Sequence, residues 1–521
     1  MTGWILLAVN CALAVAAYRK RKVGIIVWLA INAGAFVFTS KSSFLVVGTL
    51  SAGLLLGQPL FVLMGALGIL LLAQVSGLST VEDLTVIPRK LMELASKEVL
   101  LAIPFFVVAG ELMTQGTLAR RLVDVMKALF GFIPGGLAVS AVAGCVFFAA
   151  ISGSSPVTVV AIGSIMVPAL VKARYPDNFA VGLLTTSGSL GILIPPSIPM
   201  IVYSIMVSSA TPVDPTDLFL AGVLPGLFIG ALLALYAAWF GTRNAKLIPR
   251  APFSWPGLKL AIRRGVWSLL LPVIILGGIY SGIFTATEAA AVSVIYALAI
   301  ELFVHKELDK KMLVSVATTS MTVMGALLVI IALATTLNYF LVLEGVPDLM
   351  VAWLKARELD RNTFLILVNL LLLVVGCFMD IMSGILIIAP MLAPMAMAMG
   401  INPIHMGIIF IVNLEIGYMT PPVGLNLYVS STLFKKSLGF VVRAVLPTLA
   451  IMFVGLIVIT WVPALSLTLV EAVHKRPAAS AEAPPRMKSL QELMAASHAD
   501  AGTVVDDAGS DSERTAGDAG P

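Results

Sequence analysis

Apolar runs of membrane-crossing length recur from Trp4 to Leu469, and nothing else in the chain limits its fold so strongly. A helix needs roughly 20 apolar residues to cross about 30 Å of hydrocarbon. Of the 521 residues, 59% are hydrophobic and 12% charged, against about 25% charged in soluble domains, so no aqueous fold could hide this surface. Lipid is the solvent. Lipid offers no partner to backbone N–H and C=O groups, which leaves helices or a closed barrel as spanning structures. The runs lack the alternation of barrel strands, and the chain reads as an all-α polytopic membrane protein.

The segment Trp4–Ala17 is followed by Arg19, Lys20, Arg21 and Lys22, whereas a signal peptide carries its positive charges before the apolar stretch. It reads as a retained helix. The positive-inside rule then puts that basic loop in the cytoplasm and Met1 outside, with Val23–Phe38 returning across the membrane. Residues 1–43 are therefore expected to form two extra transmembrane helices ahead of a core at 44–473. Between Ser79 and Leu100, seven charged residues alternate with apolar ones at helical spacing, the pattern of an amphipathic helix lying on the membrane surface. Basic loops at Arg243–Arg264 and His305–Lys311, and the pair Lys435-Lys436, mark cytoplasmic turns. From His474 the composition turns to Ala, Ser, Pro and acids, with five Lys/Arg against eight Asp/Glu. Residues 474–521 are expected to be a disordered acidic tail.

Several classes of function are excluded or weakened. Cys11, Cys145 and Cys377, and His305, His405, His474 and His498, are scattered without metal-ligand spacing, so neither a disulfide framework nor a zinc site is supported. The dipeptide Gly-Lys is absent, which rules out a phosphate-cradling P-loop in this chain. Any pumping must be driven by an ion gradient. No nucleophile, base or metal cluster marks the membrane segments as an enzyme. The net charge of +5 is read as positive-inside bias, and no nucleic-acid partner is expected.

The chain also repeats itself. Two proline pairs sit deep in apolar sequence, in GILIPPS at 191–197 and GYMTPPV at 417–423, 226 positions apart. The same offset carries Pro168 onto Pro394 and Gly191 onto Gly417, and brings SGSSP at 152–156 beside MDIMSG at 379–384. AGVLP at 221–225 echoes RAVLP at 443–447. Repeat halves are placed at about 102–230 and 325–460. A proline pair removes two N–H donors and clashes with the preceding turn, so each span must break there. Backbone freed at membrane depth is tolerated only against protein or a wet cavity. Paired breaks in matching halves are the sequence mark of a transporter's central site, where half-helix N-termini face anions and freed carbonyls hold sodium. Such halves form an inverted repeat, and the expectation is that Ser154 and Asp380 face one cavity from opposite sides.

Asp380 lies in a run that is otherwise apolar from Phe364 to Pro390. A carboxylate there costs about 2.5–3.5 kcal/mol unless it meets a cation or a partner. It is assigned to the cation site, a role compatible with capping the helix that follows. Glu415 and Asn413, in a similarly apolar helix, are expected near the same cavity. Glu288, in TATEAAA, reads as a helix-start carboxylate.

The runs IPFFVVAGELM, GTLARRLVDVMKALFG, FFAAISGSS, AIGSIMVPAL and GILIPPSIPMIVY, from Ala102 to Tyr203, resemble the large membrane subunit of the tripartite ATP-independent periplasmic (TRAP) transporters. The second half agrees through GCFMDIMSGILIIAPMLAPMA and GINPIHMGIIFIVNLEIGYMTPPVGLNLYV. The likeness spans Phe44 to Leu469. It implies a scaffold plus an elevator-type transport domain, with two re-entrant helical hairpins whose tips and facing broken helices hold sodium and substrate. Carried over to this chain, the first tip is Ser152, Gly153, Ser154 and Ser155, faced by Gly191, Pro195 and Pro196. The second is Asp380, Ser383 and Gly384, faced by Gly417, Thr420, Pro421, Pro422, Gly424 and Asn426. The resemblance further implies sodium-coupled uptake of a small organic anion, a dicarboxylate or sugar acid, across the bacterial inner membrane. A periplasmic solute-binding protein would deliver it, and a small four-helix membrane subunit would brace the scaffold. Sodium is the coupling ion and no other cofactor is implied. A stand-alone ion-coupled carrier of the same superfamily is the alternative. The helix pair before Phe44 and the acidic tail depart from the usual pattern.

Overall fold

The computed structural model describes residues 60–74, 85–208, 212–248, 252–422 and 424–474. The helix pair expected before Phe44, the first part of the amphipathic stretch and the tail beyond His474 lie outside these residues. All regular structure among the described residues is helical, and nine helices are long and apolar enough to cross a membrane.

Helix α1 (Leu60–Gln74) and α2 (Val86–Ala95) precede α3 (Ala102–Gln115) and α4 (Leu118–Phe130). A first group follows: α5 (Gly136–Ser152), α6 (Ser155–Lys172), α7 (Asp177–Gly188), α8 (Ile198–Val207) and α9 (Pro215–Arg243). The connection runs through α10 (Trp255–Tyr280), α11 (Ala286–Ala299), the 34-residue α12 (Lys310–Leu343) and α13 (Val346–Ala356). The second group is α14 (Arg361–Phe378), α15 (Ile381–Ala398), α16 (Pro403–Gly417), α17 (Leu425–Phe434) and α18 (Leu438–Trp461), before the closing α19 (Ala464–His474). The two groups share one order. A helix breaks into an 18-residue helix, then comes a short helix, a proline-marked break, a ten-residue helix and a long one.

Each break has a local cause. After Ser152 the chain turns through Gly153 at φ 59°, a left-handed conformation that glycine adopts freely. Ser154 is then extended and Pro156 opens α6, where the missing N–H costs nothing. At the other tip Met379 and Asp380 are both extended before α15 starts. The proline pairs fall between α7 and α8 and between α16 and α17, as their steric demands require, and both Pro–Pro bonds are cis. Glu288 forms a capping box with Thr285 at the start of α11, the helix-start role expected of it. In the amphipathic stretch, α2 carries a Lys90–Glu93 pair at 2.7 Å and a 3-10 turn follows at Glu98–Leu101.

Packing between the groups is reciprocal. Helix α6 of the first lies on α17 of the second while α15 lies on α8, and α7 lies on α18 while α16 lies on α9. The groups differ in one respect: α5 runs along α6, whereas α14 and α15 touch sparsely. Helices α7, α8 and α16 are too short to span and form the interior. Every residue of α16 from His405 to Gly417 is buried, as expected of a helix that is apolar all round. Helix α14 instead exposes Ile366, Leu367, Leu370, Leu371 and Val374, a face for lipid. Because lipid tails are as apolar as leucine, close backbone packing must supply much of the helix association. A Cβ on Gly182 would stand 2.0 Å from the Ala444 carbonyl oxygen, and one on Gly417 2.4 Å from Gly376. Larger residues there would hold α7 off α18 and α16 off α14.

Candidate functional site

The tips of the two groups meet at one cavity of about 350 Å³. Ser152, Gly153, Ser154 and Ser155 line it from the α5–α6 break, and Asp380, Ile381 and Met382 from the α14–α15 break. Tyr418 and Leu425 reach it from either side of the second proline pair. Helices α3 and α12, outside both groups, complete the wall with Gly110, Glu111, Thr319 and Ser320. Most other lining residues are aliphatic, so the polar atoms stand out against an apolar wall, as in small-molecule sites generally.

The first tip is held by a residue not singled out from the sequence. Thr158 Oγ1 donates to the Ser154 carbonyl at 3.0 Å and shares a 2.8 Å hydrogen bond with Ser152 Oγ. It lies one helical turn after Ser154, the spacing at which a hydroxyl reaches back to a carbonyl, and that spacing was the available signal. Beneath the tip, a Cβ on Gly191 would sit 2.5 Å from the Ser154 carbonyl oxygen, and one on Gly153 2.8 Å from that of Pro196. The Ile198 N–H donates to the Gly153 carbonyl at 3.4 Å. Gly191, Pro195 and Pro196 thus support the tip from below without lining the cavity.

At the second tip the Asp380 carboxylate accepts the Ser383 N–H at 3.0 Å and the Ser383 hydroxyl. Asp380 caps α15 and faces the cavity, so both roles weighed for it are sterically available. Its negative charge lies at a helix N-terminus, where the backbone dipole favours it. Gly384 packs against Leu414, and Thr420 Oγ1 donates to the Ile416 carbonyl at 2.8 Å. Pro421 and Pro422 are exposed, unlike the buried Pro195 and Pro196. Ser383, Gly384, Gly417, Thr420, Gly424 and Asn426 stand behind the cavity wall.

Behind that wall the groups are joined by buried polar side chains. Asn426 Nδ2 of α17 donates to Ser155 Oγ of α6 at 3.2 Å and to Glu415 Oε1 of α16 at 2.9 Å. Ser155 and Asn426 are fully buried and Glu415 is 2% exposed. Glu415 Oε2 has no hydrogen-bond partner among the described residues. A buried carboxylate with one oxygen unpaired is costly unless a cation or a proton meets it. Further along, Asn413 Nδ2 donates to Asn369 Oδ1 at 2.8 Å, tying α16 to α14. The sequence placed Glu415 and Asn413 near the cavity, but it gave no sign that Asn426 links Glu415 to the opposite tip. The hydroxyls Thr319 and Ser320 were missed, although Thr318-Thr319-Ser320 interrupts an apolar span.

Several known proteins are similar to this chain. Residues 47–465 match the family model of the "Tripartite ATP-independent periplasmic transporter, DctM component". The C4-dicarboxylate TRAP transporter large permease protein DctM of Pseudomonas aeruginosa is 45% identical over 407 residues, covering 78% of this chain and 92% of that one. Its Rhodobacter capsulatus namesake is 40% identical over 446 residues, 82% and 98% of the two chains. The ectoine TRAP transporter large permease protein TeaC of Halomonas elongata is 33% identical over 427 residues, again 82% and 98%. Among solved structures, the Alcanivorax borkumensis YdaH transporter shares the fold at a TM-score of 0.59 and 16% identity, over 79% of this chain and 98% of that one.

Proposed function

This chain belongs to the DctM component family of the tripartite ATP-independent periplasmic transporters as a large permease, and from that premise we propose that it takes up small organic anions coupled to sodium entry. One observation carries the reading: two helix breaks from separate halves of the chain bring Ser154 and Asp380 to the same cavity. A cation entering there meets the Asp380 carboxylate and the carbonyls freed at the breaks, with the Glu415 carboxylate behind the wall. An anionic substrate meets the serine hydroxyls and the N-terminal end of α6, whose N–H groups point at it. The reciprocal packing of the groups supports an inverted repeat, since a two-fold axis turns every contact between unlike elements into a pair. The two tips then serve as re-entrant hairpins of a moving transport domain. Helices α3 and α12, which reach the cavity from outside the groups, are assigned to the fixed scaffold of an elevator.

The protein is assigned to the bacterial inner membrane. A periplasmic binding protein and a small membrane subunit complete the transporter. Dicarboxylates head the substrate list, because the relatives of higher identity are named for C4-dicarboxylates. Uptake into proteoliposomes, with the purified binding protein added or withheld and a sodium gradient imposed or absent, tests the proposal. Uptake should need both. Uptake without the binding protein would make the chain a stand-alone carrier, and uptake indifferent to sodium would remove the coupling ion.

A further inference from the structure

At the opposite end of α10 from Tyr280 lies a second polar concavity, outside the candidate transport site. A cavity of about 390 Å³ is lined by Arg121 of α4, by Arg263, Arg264, Leu260 and Trp267 of α10, and by His305 where α11 ends in a π turn. An adjoining cavity of about 410 Å³ shares Arg121, Leu260 and Arg264 and adds Arg120 together with the carboxylates Asp124 and Glu307. No carboxylate lines the first cavity. Arg121 is 3.6 Å from Glu307 and donates to the Arg264 carbonyl at 3.4 Å. The guanidinium groups of Arg263 and Arg264 have no ion-pair partner among the described residues. Arg263 and Arg264, converging on one hollow without a counter-charge of their own, repel one another unless an anion joins them.

His305 gives a second, independent sign. Its side chain is 2% exposed, with Nδ1 3.4 Å from Glu301 Oε2 and 3.1 Å from Thr117 Oγ1. Its other nitrogen, Nε2, is buried with no hydrogen-bond partner among the described residues. Buried polar atoms are nearly always paired. Glu301 is itself fully buried and accepts the Thr117 N–H at 2.8 Å and the Leu118 N–H at 3.1 Å, so its carboxylate holds the ring by the Nδ1–H and leaves Nε2 as an unpaired acceptor. Positive-inside bias accounts for arginines in a cytoplasmic loop. It does not account for their convergence on a concavity with an unpaired histidine.

The wall also has an apolar part. Leu260 and Trp267 are exposed, and Leu270 and Val273 continue their exposed side along α10. On the neighbouring helix Val304 and Phe303 are exposed, and Tyr296 Oη bridges to α10 by donating to the Trp267 carbonyl at 2.9 Å. Arginines at the mouth, an indole at the interface and aliphatic side chains beyond match a phosphate carrying acyl chains, the chemistry by which basic pockets between spans hold anionic lipids. We propose that Arg121, Arg263 and Arg264 bind the phosphate of an anionic phospholipid whose chains lie along α10 and the end of α11, with a hydroxyl of its headgroup donating to His305 Nε2.

Native mass spectrometry of the full-length chain, released from phosphatidylcholine nanodiscs doped with phosphatidylglycerol, tests this. The wild type should retain phosphatidylglycerol in clear excess over phosphatidylcholine, and millimolar inorganic phosphate should not displace it. Arg263→Gln with Arg264→Gln should weaken retention on the order of tenfold, at the usual contribution of an arginine near an anionic lipid. Lys435→Gln with Lys436→Gln, at a different basic turn, should leave it unchanged. Equal retention of the two lipids by the wild type overturns the proposal without reference to any variant. So does retention unchanged in a monodisperse double arginine variant, or displacement by inorganic phosphate, which would make the ligand a free anion. A double variant that keeps its lipid but no longer copurifies with the small permease subunit would assign the arginines to protein docking instead.

Discussion

Among single residues, the glycines under the first tip make the steric demand that bears most directly on the cavity. A Cβ on Gly191 would lie 2.5 Å from the Ser154 carbonyl oxygen and 2.6 Å from Thr158 Oγ1, so Gly191→Ala must push the tip outward. Overpacking of this kind typically costs about 1–3 kcal/mol. The variant should show a lower unfolding midpoint in detergent by scanning fluorimetry together with lost uptake. A midpoint equal to wild type would mean that the tip is not seated on Gly191. Asn426 makes a different demand, because it supplies the hydrogen bond that Glu415 receives within the protein at 2.9 Å. Asn426→Ala removes that hydrogen bond from a buried carboxylate whose other oxygen is unpaired, a loss of about 1–3 kcal/mol. Adding Glu415→Gln should recover part of it, since a neutral amide is cheaper to bury than a charge. If the double variant were no more stable than Asn426→Ala, the Glu415 charge would not be the source of the cost. The sequence made Gly191, Asp380 and the serines legible because each violates the pattern of an apolar span. Thr158 and the Ser155–Asn426–Glu415 link were not legible, since a hydroxyl or amide in a helix shows its partner only once the halves are packed.

Among the elements, the breaks were readable and the packing was not. Proline pairs end helices by sterics that need no tertiary context, and all four expected interruptions occur between helices. That α7 from Phe179, all of α8 and α16 from His405 are buried while α14 faces outward could not be read from hydropathy, because lipid and protein interior favour the same side chains. The exposure of Pro421 and Pro422 beside the buried Pro195 and Pro196 is likewise invisible in a repeat that matches them one to one. The Thr285–Glu288 capping box offers an element-scale control. Thr285→Ala should lower stability by about 1 kcal/mol, the usual loss of an N-cap, and leave the sodium dependence of uptake untouched. A shift in sodium dependence would tie α11 to the ion site, which its position away from the cavity does not suggest.

For the whole molecule, the reciprocal packing of α6 on α17 and α15 on α8 makes the central cavity a joint product of both halves. Asp380 is the carboxylate that the α14–α15 break presents to that cavity, and Asp380→Asn removes its charge while keeping its shape and hydrogen-bonding capacity. Asparagine is about as good an N-cap as aspartate, so a purely structural role for Asp380 would survive the change. Sodium titration of uptake in proteoliposomes containing the full transporter separates the roles. The sodium-site reading predicts a properly inserted variant whose half-saturating sodium concentration rises well above wild type or whose sodium-dependent uptake is lost, with binding-protein docking unchanged. An inserted Asp380→Asn variant with the sodium dependence of wild type would contradict it.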